Sequence, residues 1–122
     1  MEKVRRTPAS LKKMVEIFGM EILHKGRDFD NTVVTISDVN RPALQLADFF
    51  DYFDNHRVQI IGQVEYTYME GLTDETRREA YEKLMAYDIP CIVFSRDLKP
   101  DPIFLETAIR HEVPVLLSLI HI

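Results

Sequence analysis

The sequence predicts an α/β domain with a mixed, partly parallel sheet flanked by helices. Short runs of β-branched and apolar residues alternate with segments whose apolar residues recur at helical spacing. Near the end of the chain a strand, a helix and a second strand follow at the spacing of a parallel pair, whose crossover is expected to be right-handed. The 122 residues suffice for one domain with its own core.

The first predicted elements are a helix and two strands. Ser10 is the predicted N-cap of the helix, and Gly19 is its predicted C-cap. Between them, four apolar residues recur on one predicted face: Leu11, Met14, Val15 and Phe18. A short strand is predicted over residues 21–24, and a second, rich in β-branched residues, over 32–36.

A bend with the sequence Asp38-Val-Asn-Arg41-Pro42 leads into a short predicted helix. Pro42 suits the first turn of a helix, and Asp38 or Asn40 is expected to cap it. The proline also keeps Arg41 extended, so that its guanidinium can be aimed from the bend. The helix is predicted to carry Leu44, Leu46, Ala47, Phe49 and Phe50. A polar turn then precedes a predicted strand over residues 58–61.

The second half is predicted to alternate helices with buried strands. Residues 64–71 fit either a short helix or extended chain. Thr73 is expected to cap a helix whose inward face is Ala80, Tyr81, Leu84 and Met85. A strand over 91–94 is followed by a helix over 103–111 and a strand over 113–117. The predicted inward residues of this last helix are Phe104, Leu105, Ala108 and Ile109.

The composition of the chain indicates which partners are disfavoured and in which compartment the chain is expected. The net charge of −5 argues against nucleic acid and against an anionic membrane, because both attract basic surfaces. The single cysteine, Cys91, cannot form an internal disulfide or a multi-thiolate metal site, and it is expected to be inert core. Neither a signal peptide nor a long apolar run is apparent, so a cytoplasmic location is expected.

Residue types alone give no catalytic signature. The four glycines are isolated, so no glycine-rich phosphate loop is present. The four histidines are scattered, without metal-ligand spacing. Asp48, Asp51 and Asp54 recur at a spacing of three residues, for which a solvated acidic face is favoured over a divalent-cation site. Ser37 and Ser95 are expected to cap turns rather than to act as nucleophiles.

Polar side chains crowd the strand ends on either side of the short helix. They would form either an internal network of salt bridges and caps, or a small-anion or partner-docking site based on Arg41 and Arg57. In the first case Arg41 would pair with Asp38 or Asp51. The candidate ligand- or partner-binding residues are Asp38, Arg41, Gln45, Asp51, Tyr52, His56, Arg57, Gln59 and Glu65. No catalytic residue and no metal ligand is predicted.

The same stretch resembles the N-terminal domain of bacterial HPr kinase/phosphorylases. The resemblance is carried by the bend Arg41-Pro-Ala-Leu-Gln-Leu46, the turn Phe49-Phe-Asp-Tyr-Phe53 and the strand Arg57-Val-Gln-Ile-Ile-Gly62. Residues 89–93 and 113–118 match later strands of the family, so the likeness extends over residues 11–118. Ala43 and Asp48 stand where the family usually has glycine, and both are expected to be tolerated inside a helix.

The resemblance implies a domain whose fold is similar to the uridine-nucleotide-binding domain of Mur ligases. It implies a parent protein that phosphorylates a serine of the phosphocarrier HPr with ATP and Mg²⁺, and reverses this with inorganic phosphate, in carbon catabolite repression. The implied partners are the catalytic domain of the same chain, HPr, and further copies in a hexamer. ATP and Mg²⁺ would belong to the catalytic domain, and no cofactor is expected in this fragment.

Three functions are compatible with these residues. The favoured one is a non-catalytic regulatory or assembly domain of an HPr kinase/phosphorylase. The alternative is a sensor that binds a phosphorylated metabolite or nucleotide at Arg41 and Arg57. An independent enzyme that uses Asp51 or His56 as an acid or base ranks last.

Residues 1–117 are assigned to the domain, and residues 118–122 to a truncated or non-native tail. An apolar strand runs to the end of the chain without a cap. This pattern is compatible with a domain cut. The other interpretation is read-through from a sequencing adapter, which the string Leu-Ser-Leu-Ile-His-Ile resembles.

Overall fold

The structure, a computed structural model, describes residues 8–35 and 38–120. Its strands are β1 (Pro8–Ser10), β2 (Glu21–His24), β3 (Val33–Thr35), β4 (Val39–Asn40), β5 (Val58–Ile61), β6 (Ile92–Phe94) and β7 (Val115–Leu117). Its helices are α1 (Leu11–Phe18), α2 (Ala43–Leu46), α3 (Gln63–Glu70), α4 (Asp74–Met85) and α5 (Pro102–His111). The predicted α/β class is confirmed.

The main sheet has five strands in the order β2-β7-β6-β5-β4. Strands β4 to β7 are parallel, and β2 pairs antiparallel with β7. Strands β1 and β3 form a separate antiparallel pair. The sheet is therefore mixed and partly parallel, as predicted. Because four neighbouring strands run the same way, their N-terminal ends meet at one edge of the sheet and their C-terminal ends at the other.

The sheet separates two apolar cores, because successive side chains of a strand point to opposite faces. The larger core lies under α3, α4 and α5 and includes Ile61, Ile92, Phe94, Val115 and Leu117 from the strands. The smaller core lies under α1 and the β1–β3 pair, and it includes Leu11, Met14, Val58, Ile60, Cys91, Val93 and Leu116. Burial on both faces explains why these strands read as continuous apolar runs.

An aromatic group fixes α4 and α5 on the larger core. The ring of Phe104 meets the rings of Tyr81 and Phe94 edge-on, with centroids 4.9 Å apart in both pairs. The hydroxyl of buried Tyr81 donates to Oδ2 of Asp101 at 2.8 Å. Burial, reinforced by that carboxylate, raises the pKa of Tyr81 above its ordinary value. Asp101 also caps α5 by accepting from the Phe104 backbone N–H at 2.8 Å.

Local capping signals in the sequence are confirmed. The Ser10 hydroxyl accepts from the Lys13 N–H at 3.0 Å, and Gly19 ends α1 in the left-handed region with φ of 62°. Thr73 caps α4 by accepting from the Thr76 N–H. The ambiguous residues 64–71 belong largely to α3.

Helix α2 differs from its prediction. It ends at Leu46, and Asp48 follows it in the left-handed region with φ of 73°, so Phe49 and Phe50 lie in a loop. The prediction that Asp38 or Asn40 caps this helix is wrong: the N-cap is Pro42, with no side-chain hydrogen bond. The three aspartates at regular spacing therefore do not share a helical face.

One further prediction is wrong, and another concerns residues outside the described part of the chain. Ile109, expected to point inward, is 55% exposed, because α5 packs through Phe104 and Ala108. The predicted end of the second strand at residue 36, and Ser37, lie outside the described residues. Among the helices that are described, none combines the length and the apolar content needed to cross a bilayer.

Candidate functional site

The nine predicted site residues do not form one cluster. Eight of them lie in three places along β5: at its C-terminal end, beside its middle, and in the loop before its first residue. Asp38 lies before β4, where its backbone N–H donates to the Thr35 carbonyl at 3.0 Å. Each of these places has its own chemistry.

At the C-terminal end of β5, Arg41 is bound to Glu65. The guanidinium donates from Nε at 3.2 Å and from Nη2 at 2.9 Å to the same oxygen, Oε1 of Glu65. That oxygen also accepts from the Gly62 backbone N–H at 2.8 Å. Glu65 thus fills the N-terminus of α3, where the first N–H groups favour a negative charge. The predicted pairing of Arg41 with Asp38 or Asp51 is wrong.

Gly62 is required by this arrangement. A Cβ atom added there would lie 3.0 Å from Cζ of Arg41 and 3.3 Å from Oε1 of Glu65, and still closer to an Arg41 nitrogen. The guanidinium therefore packs directly on the glycine backbone, which a side chain would prevent. Only 4% of the Glu65 side chain is exposed, against 44% for Arg41. The carboxylate is the buried half of the pair.

Beside the middle of β5, three amide side chains form a network. Asn40 donates from Nδ2 to Oε1 of Gln59 at 2.7 Å and to Oε1 of Gln45 at 3.2 Å. Gln59, which is fully buried, in turn donates to the Arg57 carbonyl at 2.8 Å. Gln45 donates to the Phe49 carbonyl at 3.4 Å. This network ties β4, α2 and the following loop to β5.

Asn40 is predicted only as a candidate cap of α2, and it is not among the predicted site residues. The signal that could have found it is Gln59 itself, a polar residue inside the apolar strand Val58–Ile61. A buried amide needs polar partners, and parallel pairing brings Asn40 opposite Gln59. The partner could have been sought at the equivalent position of the neighbouring strand.

At the N-terminal end of β5, Arg57 pairs with Asp54. Nε of Arg57 donates to Oδ2 of Asp54 at 2.8 Å, and the His56 backbone N–H donates to Oδ1 at 3.3 Å. The Arg57 guanidinium holds the pKa of Asp54 below its ordinary value. Both side chains are about half exposed, so the pair is a surface salt bridge of small energy. Asp51 and His56 are exposed beside it.

Tyr52 stands at the tip of the same loop. It is fully exposed and has φ of 62°, a conformation that bulky residues rarely adopt. Its neighbours Phe50 and Phe53 pack instead on Tyr87, each with ring centroids 5.1 Å from it. The aromatic turn is thus held against Tyr87, just after α4, by Phe50 and Phe53, while Tyr52 is exposed to solvent.

Arg41 and Arg57 do not share a site. Arg57 precedes the first residue of β5, whereas Arg41 is bound at Gly62, just after its last residue. Five residue steps of extended chain separate positions 57 and 62, which corresponds to about 16 Å. Each guanidinium already has a carboxylate partner, Glu65 or Asp54. One small anion therefore does not contact both arginines in this structure.

A cleft of about 610 Å³ lies at the N-terminal edge of the parallel strands. His56 is the predicted candidate that lines it, among groups of both charge signs from the loops at this edge. Two residues of its lining, Arg110 and His111, contact Glu82 of α4: Arg110 pairs with the Glu82 carboxylate, which also accepts a 2.6 Å hydrogen bond from Nε2 of His111. Arg110, then His111, lowers the pKa of Glu82. None of these three residues is among the predicted site residues.

Several of the predicted residues thus have structural partners within the domain. Arg41 with Glu65 fixes the bend to α3, the amides fix β4 to β5, and Arg57 with Asp54 closes the loop. Within residues 8–35 and 38–120, no group of three or more histidine, cysteine, aspartate or glutamate side chains could hold a metal ion. The chemistry of this region is that of a scaffold with an exposed aromatic tip.

Comparison with solved structures finds a neighbour in fold. The CBS and DRTGG domains of the regulatory region of Clostridium perfringens pyrophosphatase, complexed with the activator diadenosine tetraphosphate, match with a TM-score of 0.55 and 13% identity. The match covers 91% of this chain and 41% of that one. At this identity the likeness concerns the fold alone.

Sequence comparison finds close relatives. The HPr kinase/phosphorylase of Lachnoclostridium phytofermentans is 45% identical over 105 residues, covering 86% of this chain and 34% of the relative. That of Alkaliphilus metalliredigens is 41% identical over 111 residues, covering 89% of this chain and 35% of the relative. The chain thus spans about a third of the length of the curated relatives it matches.

A family model described as "HPr Serine kinase N terminus" matches residues 9–120, which is nearly the whole chain. The match includes the bend, the aromatic turn and the strand β5, whose side chains form the contacts described above. The chain therefore belongs to the HPr serine kinase N-terminal domain family.

Proposed function

We propose that this chain is a non-catalytic accessory domain that regulates or helps assemble an HPr kinase/phosphorylase. The parent would phosphorylate HPr on serine and reverse that reaction in carbon catabolite repression. The observation that carries the proposal is that polar residues of the family motif are engaged by other side chains of the same domain. Arg41 is engaged by Glu65, Gln59 by Asn40, and Arg57 by Asp54. Such pairs preserve a shape rather than perform a reaction.

ATP and Mg²⁺ would act in another part of the parent, because the residues here do not fit a nucleotide phosphate. Phosphate sites commonly use the N-terminus of a helix beside a glycine-rich loop. The corresponding place at the head of α3 is filled by the Glu65 carboxylate, bound to Gly62 and Arg41. A phosphate there would meet a negative charge. HPr and further copies of the chain in a hexamer would be partners of the parent.

The test compares three proteins: the parent, the parent without this domain, and the present chain. We expect no ATP turnover by the chain alone. We expect the shortened parent to keep HPr phosphorylation while its response to effectors or its oligomeric state, measured by analytical ultracentrifugation, changes. Turnover by the chain alone, or a shortened parent that is unchanged in both regulation and assembly, would contradict the proposal.

A sensor of a phosphorylated metabolite or nucleotide is the second candidate. Its support is the fold neighbour, a regulatory region solved with diadenosine tetraphosphate. A thermal-shift series with diadenosine tetraphosphate, uridine nucleotides and phosphorylated sugars tests it. A saturable shift that disappears in Arg41→Ala, with that variant still folded, would favour the sensor. Equal melting temperatures with and without every compound would remove it.

A further inference from the structure

The two faces of the main sheet are covered unequally. Helices α3, α4 and α5 pack on one face, whereas within the described residues α1 and the β1–β3 pair pack on the other. Ile22 of β2 is paired in register with Leu116 of β7, so both side chains point to the α1 face. Leu116 is fully buried there, yet Ile22 is 41% exposed. The sheet is therefore uncovered at the β2 side of this face.

Exposed apolar residues concentrate beside this uncovered strand. Ile17 and Phe18, at the end of α1, are 56% and 42% exposed. Gly19 and Met20 connect them directly to β2. We name the surface formed by Ile17, Phe18 and Ile22 the α1–β2 corner. Single exposed apolar residues are ordinary, whereas exposed apolar residues grouped in one patch mark interaction sites.

The chain leaves its last strand next to this corner. Leu117 of β7 is paired with Glu21 of β2. A Cβ atom added to Gly19 would lie 3.9 Å from Cδ1 of Leu119, so the residues after β7 pass the end of α1. The β2–β7 pairing by itself brings the end of β7 to the first residue of β2, close to the end of α1. Strand β2 is also at the edge of the sheet, with one side of its backbone unpaired by the sheet.

We propose that the α1–β2 corner is the docking surface for the part of the parent enzyme that follows β7. The proposal rests on the proposed function. The matching family model is an N-terminus, and the relatives have about two-thirds of their length outside the match. That following part is tethered at β7, so it is held close to the corner at high effective concentration. Its contact would bury the three apolar side chains and cover the open edge of β2.

The chain provides a matched control for the test. Ile17 and Ile109 are the same residue type, both on helices, and 56% and 55% exposed. Ile17→Lys and Ile109→Lys are made in the present chain and in the parent. In the chain alone both variants should change the stability by less than about 0.5 kcal/mol, as surface substitutions do. In the parent, Ile17→Lys should make this domain unfold at a different temperature from the rest of the protein, whereas Ile109→Lys should not.

Hydrogen exchange supplies an independent readout. Amides of residues 17–22 should exchange at least about tenfold more slowly in the parent than in the chain alone, while those of α5 should not differ. Equal exchange at the corner in both proteins, or equal effects of the two lysine variants in the parent, would overturn the proposal. The proposed function fails separately, through unchanged regulation and assembly in the parent that lacks this domain.

Discussion

The carboxylate of Glu65 joins Arg41, at the end of β4, to the first turn of α3, 24 residues along the chain. The same oxygen accepts a hydrogen bond from the Gly62 N–H, so one buried acceptor binds donors of both the bend and the helix. Such an acceptor is costly to remove, because its donors lose their partners together.

We predict that Glu65→Ala lowers the free energy of unfolding by about 1–2 kcal/mol. Glu65→Gln, which keeps an acceptor for the Gly62 N–H, should cost less. Urea unfolding measures both. The control is Asp54→Ala, which removes the exposed partner of Arg57 and should cost less than about 0.5 kcal/mol. Equal costs at Glu65 and Asp54 would contradict the description of Glu65 as a buried acceptor.

Gly62→Ala is expected to destabilise the domain by about 1 kcal/mol, since the new methyl group would displace the Arg41 guanidinium from its hydrogen bonds to Glu65. The backbone at Gly62, with φ of −100°, is accessible to alanine, so the cost comes from crowding. The same substitution in an Arg41→Ala background should therefore cost less, by about 1 kcal/mol in a double-mutant cycle. An unchanged cost in that background would show that Arg41 is not the obstacle.

The contacts of Glu82 with Arg110 and His111 predict that the stability of the domain falls at acid pH. Its partners lower the folded pKa of Glu82 below the ordinary value of 4.5. A lowered folded pKa gives stability that is present above the unfolded pKa and is lost as the pH falls through the folded one. The loss of melting temperature caused by Glu82→Gln should therefore become smaller as the pH falls below the ordinary glutamate pKa of 4.5.

Because Glu82 is 41% exposed, its total contribution at neutral pH should stay below about 1 kcal/mol. Glu79→Gln, on the exposed side of the same helix, is the control and should leave the pH profile of the wild type. A difference between wild type and Glu82→Gln that is constant from neutral to acid pH would refute the linkage.

Cys91 is expected to be unreactive in the folded protein. It is fully buried, and burial raises the pKa of its thiol to about 12. Thiolate is the reacting form, so a disulfide reagent should label it only as the domain opens. The labelling rate at neutral pH should rise with urea in parallel with the unfolded fraction. Complete labelling within seconds without denaturant would contradict the burial.

Tyr52→Asn should stabilise the domain by up to about 1 kcal/mol, because asparagine tolerates the left-handed backbone that tyrosine adopts at cost. The side chain of Tyr52 is fully exposed, so little packing is lost. Thermal unfolding measures the change, and Tyr68→Asn on α3 serves as a control without left-handed backbone. A lower melting temperature for Tyr52→Asn would mean that the ring has a contact that offsets its backbone strain.

Features governed by neighbouring residues were predictable from the sequence. Helices α1 and α4 begin at the predicted N-caps Ser10 and Thr73, and α1 ends at the predicted C-cap Gly19. The buried strands were predictable because their apolar runs are continuous. The expectation that Asp48 lies inside a helix is wrong, because its left-handed backbone shortens α2. The glycine that the family usually has at this position is the signal that could have indicated it, since glycine adopts this conformation readily.

Contacts between distant residues were not predictable in the same way. Arg41 has several carboxylates near it in sequence, and its partner is Glu65 because parallel pairing of β4 with β5 brings the bend to the head of α3. Helical periodicity likewise placed Ile109 inward, but α5 contacts the sheet along a narrower stripe through Phe104 and Ala108. These outcomes depend on which elements become neighbours.

The Glu65 carboxylate at the N-terminus of α3 also competes with free anions for this helix end. An anion arriving from solution would compete with a carboxylate supplied three residues along the same chain, at an effective concentration on the order of millimolar or higher. The fold thus provides its own counter-ion at this helix, and its stability should be indifferent to changing levels of free phosphate.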